Sequence, residues 1–251
     1  MLVPADYTAR LSASASRAGF RVEPFAEIES VPLLALTRRT PGPRPRIYLS
    51  AGIHGDEPAP PLALLELIET GVFDRRAVWC LCPLLNPAGF HRRTRENAAG
   101  LDLNRDFKSP ASAEIAAHRR WLERQPPFDL AICVHEDWES TGFYLYELNP
   151  TGAPSFAPAM LAAAAAHLPI EPATVIDGRA IAEPGIIRPV ADPALRDLWP
   201  ESIYLQHHHA RLGYTIESPS SRPLSVRVSA LCAALTAAIS ACCIGYVQPA
   251  P

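Results

Sequence analysis

The sequence predicts an α/β protein, and three observations carry that expectation. From Arg46 onward, short apolar runs alternate with stretches of helical periodicity. The chain has 251 residues, 48% hydrophobic and 20% charged, enough to enclose a core without disulfides or a structural metal. No internal repeat and no domain-separating linker interrupts the alternation, so a single domain is expected over residues 1–251.

Taken in order, RIYLSA (Arg46 to Ala51) reads as a buried strand, and PPLALLELIETG (Pro60 to Gly71) as a helix closed by a C-terminal glycine. AVWCLCPLL (Ala77 to Leu85) reads as a strand, SAEIAAHRRWLERQ (Ser112 to Gln125) as a helix opened by a serine cap, and DLAICV (Asp129 to Val134) as a strand. FYLYEL (Phe143 to Leu148) is a further strand, APAMLAAAAAHL (Ala157 to Leu168) a helix, GYTIES (Gly213 to Ser218) a strand and Ser225 to Ile244 the last helix. Between Ile170 and Trp199 the chain is rich in Pro, Asp and Gly and reads as a long surface excursion bordering a cleft.

Composition narrows the function. With 27 Pro and 13 Gly, the chain stays below the share of roughly 25–30% that marks low-complexity disorder. A net charge of −3 leaves no basic surplus to neutralise a phosphate backbone, so no nucleic acid partner is expected. Cys80, Cys82, Cys133, Cys232, Cys242 and Cys243 sit inside apolar runs, which describes buried free thiols in a reducing, cytoplasmic setting; strand alternation puts Cys80 and Cys82 on one face. The first twenty residues contain no apolar stretch of signal-peptide length. Val228 to Val247 carries no charge, but Leu231, Leu235 and Ile239 recur every four positions, as in one buried stripe of a helix, and no membrane partner is expected.

Chemistry concentrates at strand ends. GIHGDEPAP places His54 and Glu57 three apart between a strand and a helix, where they can converge on one metal ion, although a surface histidine near an acid is the commoner meaning of this spacing. His135 follows the apolar run AICV, at another strand terminus. Ligand sites of open α/β sheets gather outside the carboxyl ends of strands. Two His and one Glu with an open position form the ligand set of a catalytic zinc. The intervening segment Asn86 to Phe107 carries Arg92, Arg93, Arg95 and Arg105, with Asn104 beside the last. It is either a solvated basic loop or a set of arginines held where an anionic substrate docks.

HGDE, then NPAGF, RTREN and GLDLNRDF, then a strand ending in His, then TIESPS resemble in order the zinc carboxypeptidase family, especially its compact bacterial members and the related succinylglutamate desuccinylase/aspartoacylase group. The resemblance spans Arg46 to about Ser221. It implies a mixed, mostly parallel twisted sheet flanked by helices. It implies one zinc on His54, Glu57 and His135, Glu217 as general base, Arg95 steadying the developing oxyanion, and Asn104 with Arg105 binding the terminal carboxylate of the substrate. Independently, Glu217 ends the apolar run GYTI, where partial desolvation raises a carboxyl pKa toward a useful range.

The family's mobile tyrosine has no clear counterpart; Tyr204 and Tyr214 are candidates. The His207–His209 triple lies on an expected helix, so no more than one or two of its rings can face any one site. Glu136 and Asp137, next to His135, are expected to support the site rather than bind a second metal. The expected activity is zinc-dependent removal of a C-terminal amino acid, on a small peptide with a free carboxylate. An N-acyl amino acid deacylase is the alternative enzyme, and a non-catalytic metal-binding module the alternative of another class.

Overall fold

A computed structural model describes residues 2–244 and 246. The chain opens with a helix, α1 (Pro4–Arg17), and an antiparallel hairpin, β1 (Arg21–Ile28) and β2 (Val31–Arg38). The alternating part follows: β3 (Arg46–Ala51), α2 (Ala59–Glu69), β4 (Val78–Cys82), the short α3 (Pro87–Arg92), a 3-10 turn at Leu103–Arg105, α4 (Ala113–Leu122), β5 (Leu130–Asp137) and β6 (Tyr144–Leu148). Then come α5 (Ala157–Ala164), the two-residue strands β7 (Val175–Ile176), β8 (Arg179–Ala180) and β9 (Ile186–Ile187), α6 (Glu201–His208), β10 (Gly213–Pro219) and α7 (Leu224–Ile244).

The expected α/β class holds. One eight-stranded mixed sheet runs in the order β1-β2-β4-β3-β5-β10-β6-β9, with β4, β3, β5 and β10 mutually parallel at its centre. After β3 the chain first adds β4 on one side and later β5 on the other. The crevice beyond the carboxyl ends of β3 and β5 is therefore the switch point where such sheets hold ligands.

Alternation along the strands separates two cores. Ile47 and Leu49 of β3 and Trp79 and Leu81 of β4 face α1, α2, α5 and α7, whereas Tyr48, Cys80 and Cys82 face the layer of α4 and α6. Cys80 and Cys82 thus share a face as expected, and all six cysteines are free. Ser112 caps α4, its Oγ accepting from the Ile115 N–H at 3.2 Å. Leu231, Leu235 and Ile239 of α7 are wholly buried. With a mean hydropathy of 1.8 over its apolar window, α7 is long and apolar enough to cross a membrane, yet its stripe packs on α2 and α5. Val247, the end of the uncharged run in the sequence, lies outside the described residues.

Candidate active site

The site begins with a backbone contact. Beyond β3 the chain turns at Gly52 (φ +66°) into HGDE, and Gly55 presses directly on α3, where a Cβ would overlap the backbone of Gly89 and Phe90. Gly89 is equally confined, beneath the side chain of Asn86. Asn86, fully buried, caps α3 by accepting from the Gly89 N–H at 2.8 Å and donates to the Ile53 and Arg95 carbonyls, both at 3.2 Å. The Gly55 N–H reaches the Thr94 carbonyl at 3.0 Å. The NPAGF turn therefore clamps the HGDE turn to the segment bearing Arg95.

His54, Glu57 and His135 converge as expected. All three are buried, and each offers a nitrogen or oxygen within 4.8 Å of the others. It is the one such cluster of three or more His, Cys, Asp or Glu among the described residues. His54 Nδ1 lies 2.5 Å from Glu57 Oε1, and His135 Nδ1 lies 3.1 Å from Glu57 Oε2, which also accepts the Glu136 N–H at 3.1 Å. Two buried imidazoles and a carboxylate without apolar packing between them fit a divalent metal, and their donor types fit zinc. Burial works against a charge on His54, but Glu57 and Asp102 outweigh it and lift its pKa to about 9. Burial likewise disfavours a charged Glu57, yet the two imidazoles hold it far below the carboxylate range. For His135 burial wins over Glu57 and lowers the pKa. Of the two imidazoles, His54 is therefore the one whose surroundings favour the charged, doubly protonated form.

Asp102 organises the surroundings. Its Oδ1 faces His54 Nε2 at 3.3 Å and accepts the Asn104 N–H at 2.9 Å, and its Oδ2 accepts Arg95 Nε at 3.0 Å. With Nε2 engaged there, His54 is fixed with Nδ1 toward Glu57. Arg95 also approaches Glu57 Oε1 at 3.8 Å.

A cleft of about 580 Å³ opens on this trio, and His54, Glu57, His135, Arg95, Asn104, Arg105 and Glu217 all line it. His135 lies within β5 rather than past its end, because β5 continues to Asp137 in register with β10, which pairs His135 with Glu217. Burial, with the negative charges of Glu57, Asp137 and Asp177, raises the Glu217 pKa well above the usual range. Asn104 and Arg105 sit on the 3-10 turn and line the cleft together with Arg179 and Arg196 from the long excursion. Burial and the charges of Arg179 and Arg105 lower the pKa of Arg196.

The family model of the succinylglutamate desuccinylase/aspartoacylase catalytic domain matches residues 43–179. The chain belongs to that family. A candidate metallopeptidase from Shewanella amazonensis SB2B superimposes with a TM-score of 0.83 at 26% identity, covering 94% of this chain and 91% of its own. A metallo-carboxypeptidase from Burkholderia cenocepacia shares the fold with a TM-score of 0.66 at 23% identity, over 94% of this chain and 67% of its own. A Pseudomonas aeruginosa metallo-carboxypeptidase does so with a TM-score of 0.66 at 22% identity, over 92% and 67%. No curated protein sequence matches. Family and fold together place the chain among hydrolases, with a carboxypeptidase-like α/β fold.

Other expectations for this desuccinylase/aspartoacylase relative fall differently. Neither Tyr204 nor Tyr214 reaches the cleft: Tyr204 packs against Phe107 beneath Arg119, and the Tyr214 hydroxyl donates to Glu147 at 3.0 Å. Tyr144 and Tyr146 line the cleft instead, the former bonded to Asp137 at 2.9 Å and the latter to Asp177 at 2.6 Å. His207 and His208 pack on Trp199 at the end of α6, away from the trio. Glu136 is buried structure, bonded to Arg227 of α7 and to the Ala59 N–H that opens α2. Asp102 escaped the sequence reading, although its acid stands two residues before Asn104 in GLDLNR.

Proposed function

We propose that the protein is a zinc-dependent hydrolase that removes a C-terminal amino acid by cleaving the amide bond next to a free carboxylate. The observation that carries this reading is the meeting of a His54–Glu57–His135 cluster, a recessed acid at Glu217 and the Asn104–Arg105 pair in one cleft.

His54, Glu57 and His135 would hold the metal. Zinc supplies Lewis-acid activation of water and of the scissile carbonyl when bound there. The remaining steps belong to the chain. Arg105 and the Asn104 amide take the terminal carboxylate, setting the scissile bond beside Glu217. A Glu217 oxygen accepts a proton from the attacking water and returns it to the leaving amine nitrogen; a raised pKa suits a group that must take and give a proton near neutrality. Arg95, anchored by Asp102, aims its remaining N–H groups at the carbonyl oxygen as that atom gains negative charge.

A second reading, an N-acyl amino acid deacylase, is favoured by the description of the matching family. It uses the same residues on a shorter acyl group. Dansylated dipeptides set against N-acyl amino acids separate the two, because only a peptidase accepts a long chain on the amino side of the bond. In either case Glu217→Gln is expected to lower kcat by at least about 10²-fold with KM and zinc content nearly unchanged. Retention of more than about a tenth of the rate removes Glu217 as the base.

A further inference from the structure

Beneath the cleft lies a buried carboxylate that the proposed reaction does not use. Glu201, the first residue of α6, is 1% exposed. Its two oxygens are bonded to β3, accepting Tyr48 Oη at 2.7 Å and Ser50 Oγ at 2.8 Å. These two hydroxyls stand two residues apart, so they share one face of the strand that leads into His54. His118 of α4 completes the cluster, with Nε2 2.9 Å from Tyr48 Oη. Because the tyrosine proton goes to Glu201, His118 Nε2 must be the donor there, which leaves Nδ1 bare; it is buried without a partner. Packing alone does not require this arrangement, since apolar side chains of similar volume commonly replace buried charge without loss of stability. The cluster instead fixes where the first turn of α6 sits on β3.

That turn has a specific neighbour. Pro200 precedes it and supplies no side-chain cap, so the Glu201 N–H is one of the donors a helix start leaves open. It donates to Asn104 Oδ1 at 2.9 Å. A backbone N–H can bond only the oxygen of an amide, so the orientation of Asn104 is settled and Nδ2 is the group left for the cleft. From the other side, Asp102 holds the Asn104 N–H.

We infer that Glu201 is the positioning residue of the carboxylate-binding pair: by tying the start of α6 to Tyr48 and Ser50, it holds Asn104 with its amide nitrogen presented to an anionic group. The inference rests on the reading of Asn104 and Arg105 as that pair. Glu201 itself touches no substrate.

The test is calorimetric titration of the zinc-loaded full chain with 3-phenylpropanoate and with its carboxamide, neither of which carries an acyl–amino acid bond to cleave, so it needs no turnover. Glu201→Ala is expected to weaken the carboxylate about tenfold, the scale of one misaligned hydrogen bond to a charged group, and the carboxamide less than about twofold. Glu201→Gln keeps an acceptor for Tyr48 and a donor for Ser50 Oγ, and is expected to stay within about threefold of wild type. The double variant Glu201→Ala/Asn104→Ala is expected to bind the carboxylate no more weakly than Asn104→Ala alone, because the first substitution acts only through the second residue. If Glu201→Ala does not fold, the pair Tyr48→Phe with Ser50→Ala removes both anchoring donors and is read the same way. Full additivity in the double variant overturns the inference, as does a Glu201→Ala protein that still discriminates carboxylate from carboxamide like wild type. A wild-type protein that does not discriminate overturns the carboxylate-binding reading itself, and this inference with it.

Discussion

Asp102→Asn separates the orienting carboxylate from the metal ligands. The native side chain serves three groups: His54 Nε2 at 3.3 Å, the Asn104 N–H at 2.9 Å and Arg95 Nε at 3.0 Å. Asparagine has the same shape but one acceptor oxygen, so it can serve the His54 side or Arg95, and its NH₂ then faces a donor on the other. The lost contact is charge-assisted, worth about 1.5–3 kcal/mol, or roughly 10–150-fold. Asp102 is 24% exposed, which moves the expectation to the lower part of that range. Substitution of a partner that orients a metal-binding histidine usually costs about 10–100-fold. Zinc affinity is therefore expected to fall about 10–30-fold, read by competition with a chromophoric chelator at neutral pH. Asp56→Asn removes a nearby charge without one of these bonds and serves as the control. Zinc affinity of Asp102→Asn within about twofold of wild type refutes the orienting role.

Zinc affinity is also expected to depend on pH with one proton. The His54 pKa is raised to about 9 while that of His135 is lowered from 6.5, so between those values zinc displaces the His54 proton alone. Apparent affinity then falls about tenfold for each pH unit below 9 and levels off above it; a slope near two in that window contradicts the assignment. Arg105→Lys keeps the charge but loses the planar two-pronged contact, and kcat/KM on carboxylate substrates is expected to drop about tenfold with little change on carboxamides. Arg227→Met strands Glu136, whose side chain is fully buried, and breaking such a pair costs about 3–5 kcal/mol. For a chain of this size, that lowers the thermal midpoint by about 6–20 °C. An unchanged midpoint shows that the pair contributes nothing.

The central strands and the helices that cover them were legible because their sequences obey one period throughout: RIYLSA is β3 residue for residue, and GYTIES is β10 short of Pro219. The N-terminal hairpin was not. Its β1 is half exposed, contains Pro24 and bulges between Pro24 and Ala26, which blurs the alternation. Its turn places Glu29 (φ 48°) and Ser30 (φ 66°) in the left-handed region without the glycine or asparagine that usually announces such a turn. The site was legible where motifs are local, as at His54 and Glu57. It was hidden where tertiary pairing decides, as for Glu201 meeting Asn104 across 97 positions. Tyr204 and Tyr214 misled for a related reason: an aromatic beside a functional segment looks the same in sequence whether it faces a cleft or a core.

The contact between Gly55 and Gly89 has a mechanical meaning. A spacing set through side chains is soft, since rotamers can shift to absorb a change in either partner. Here two bare backbones meet, and the offset between the turn bearing His54 and Glu57 and the segment bearing Arg95 is set by peptide planes that have almost no freedom to adjust. The junction behaves as a rigid hinge pin. Sequence drift in the surrounding loops can change what the cleft admits while the distance between the ligand cluster and the arginine stays fixed, so new substrates can be explored without retuning the chemistry.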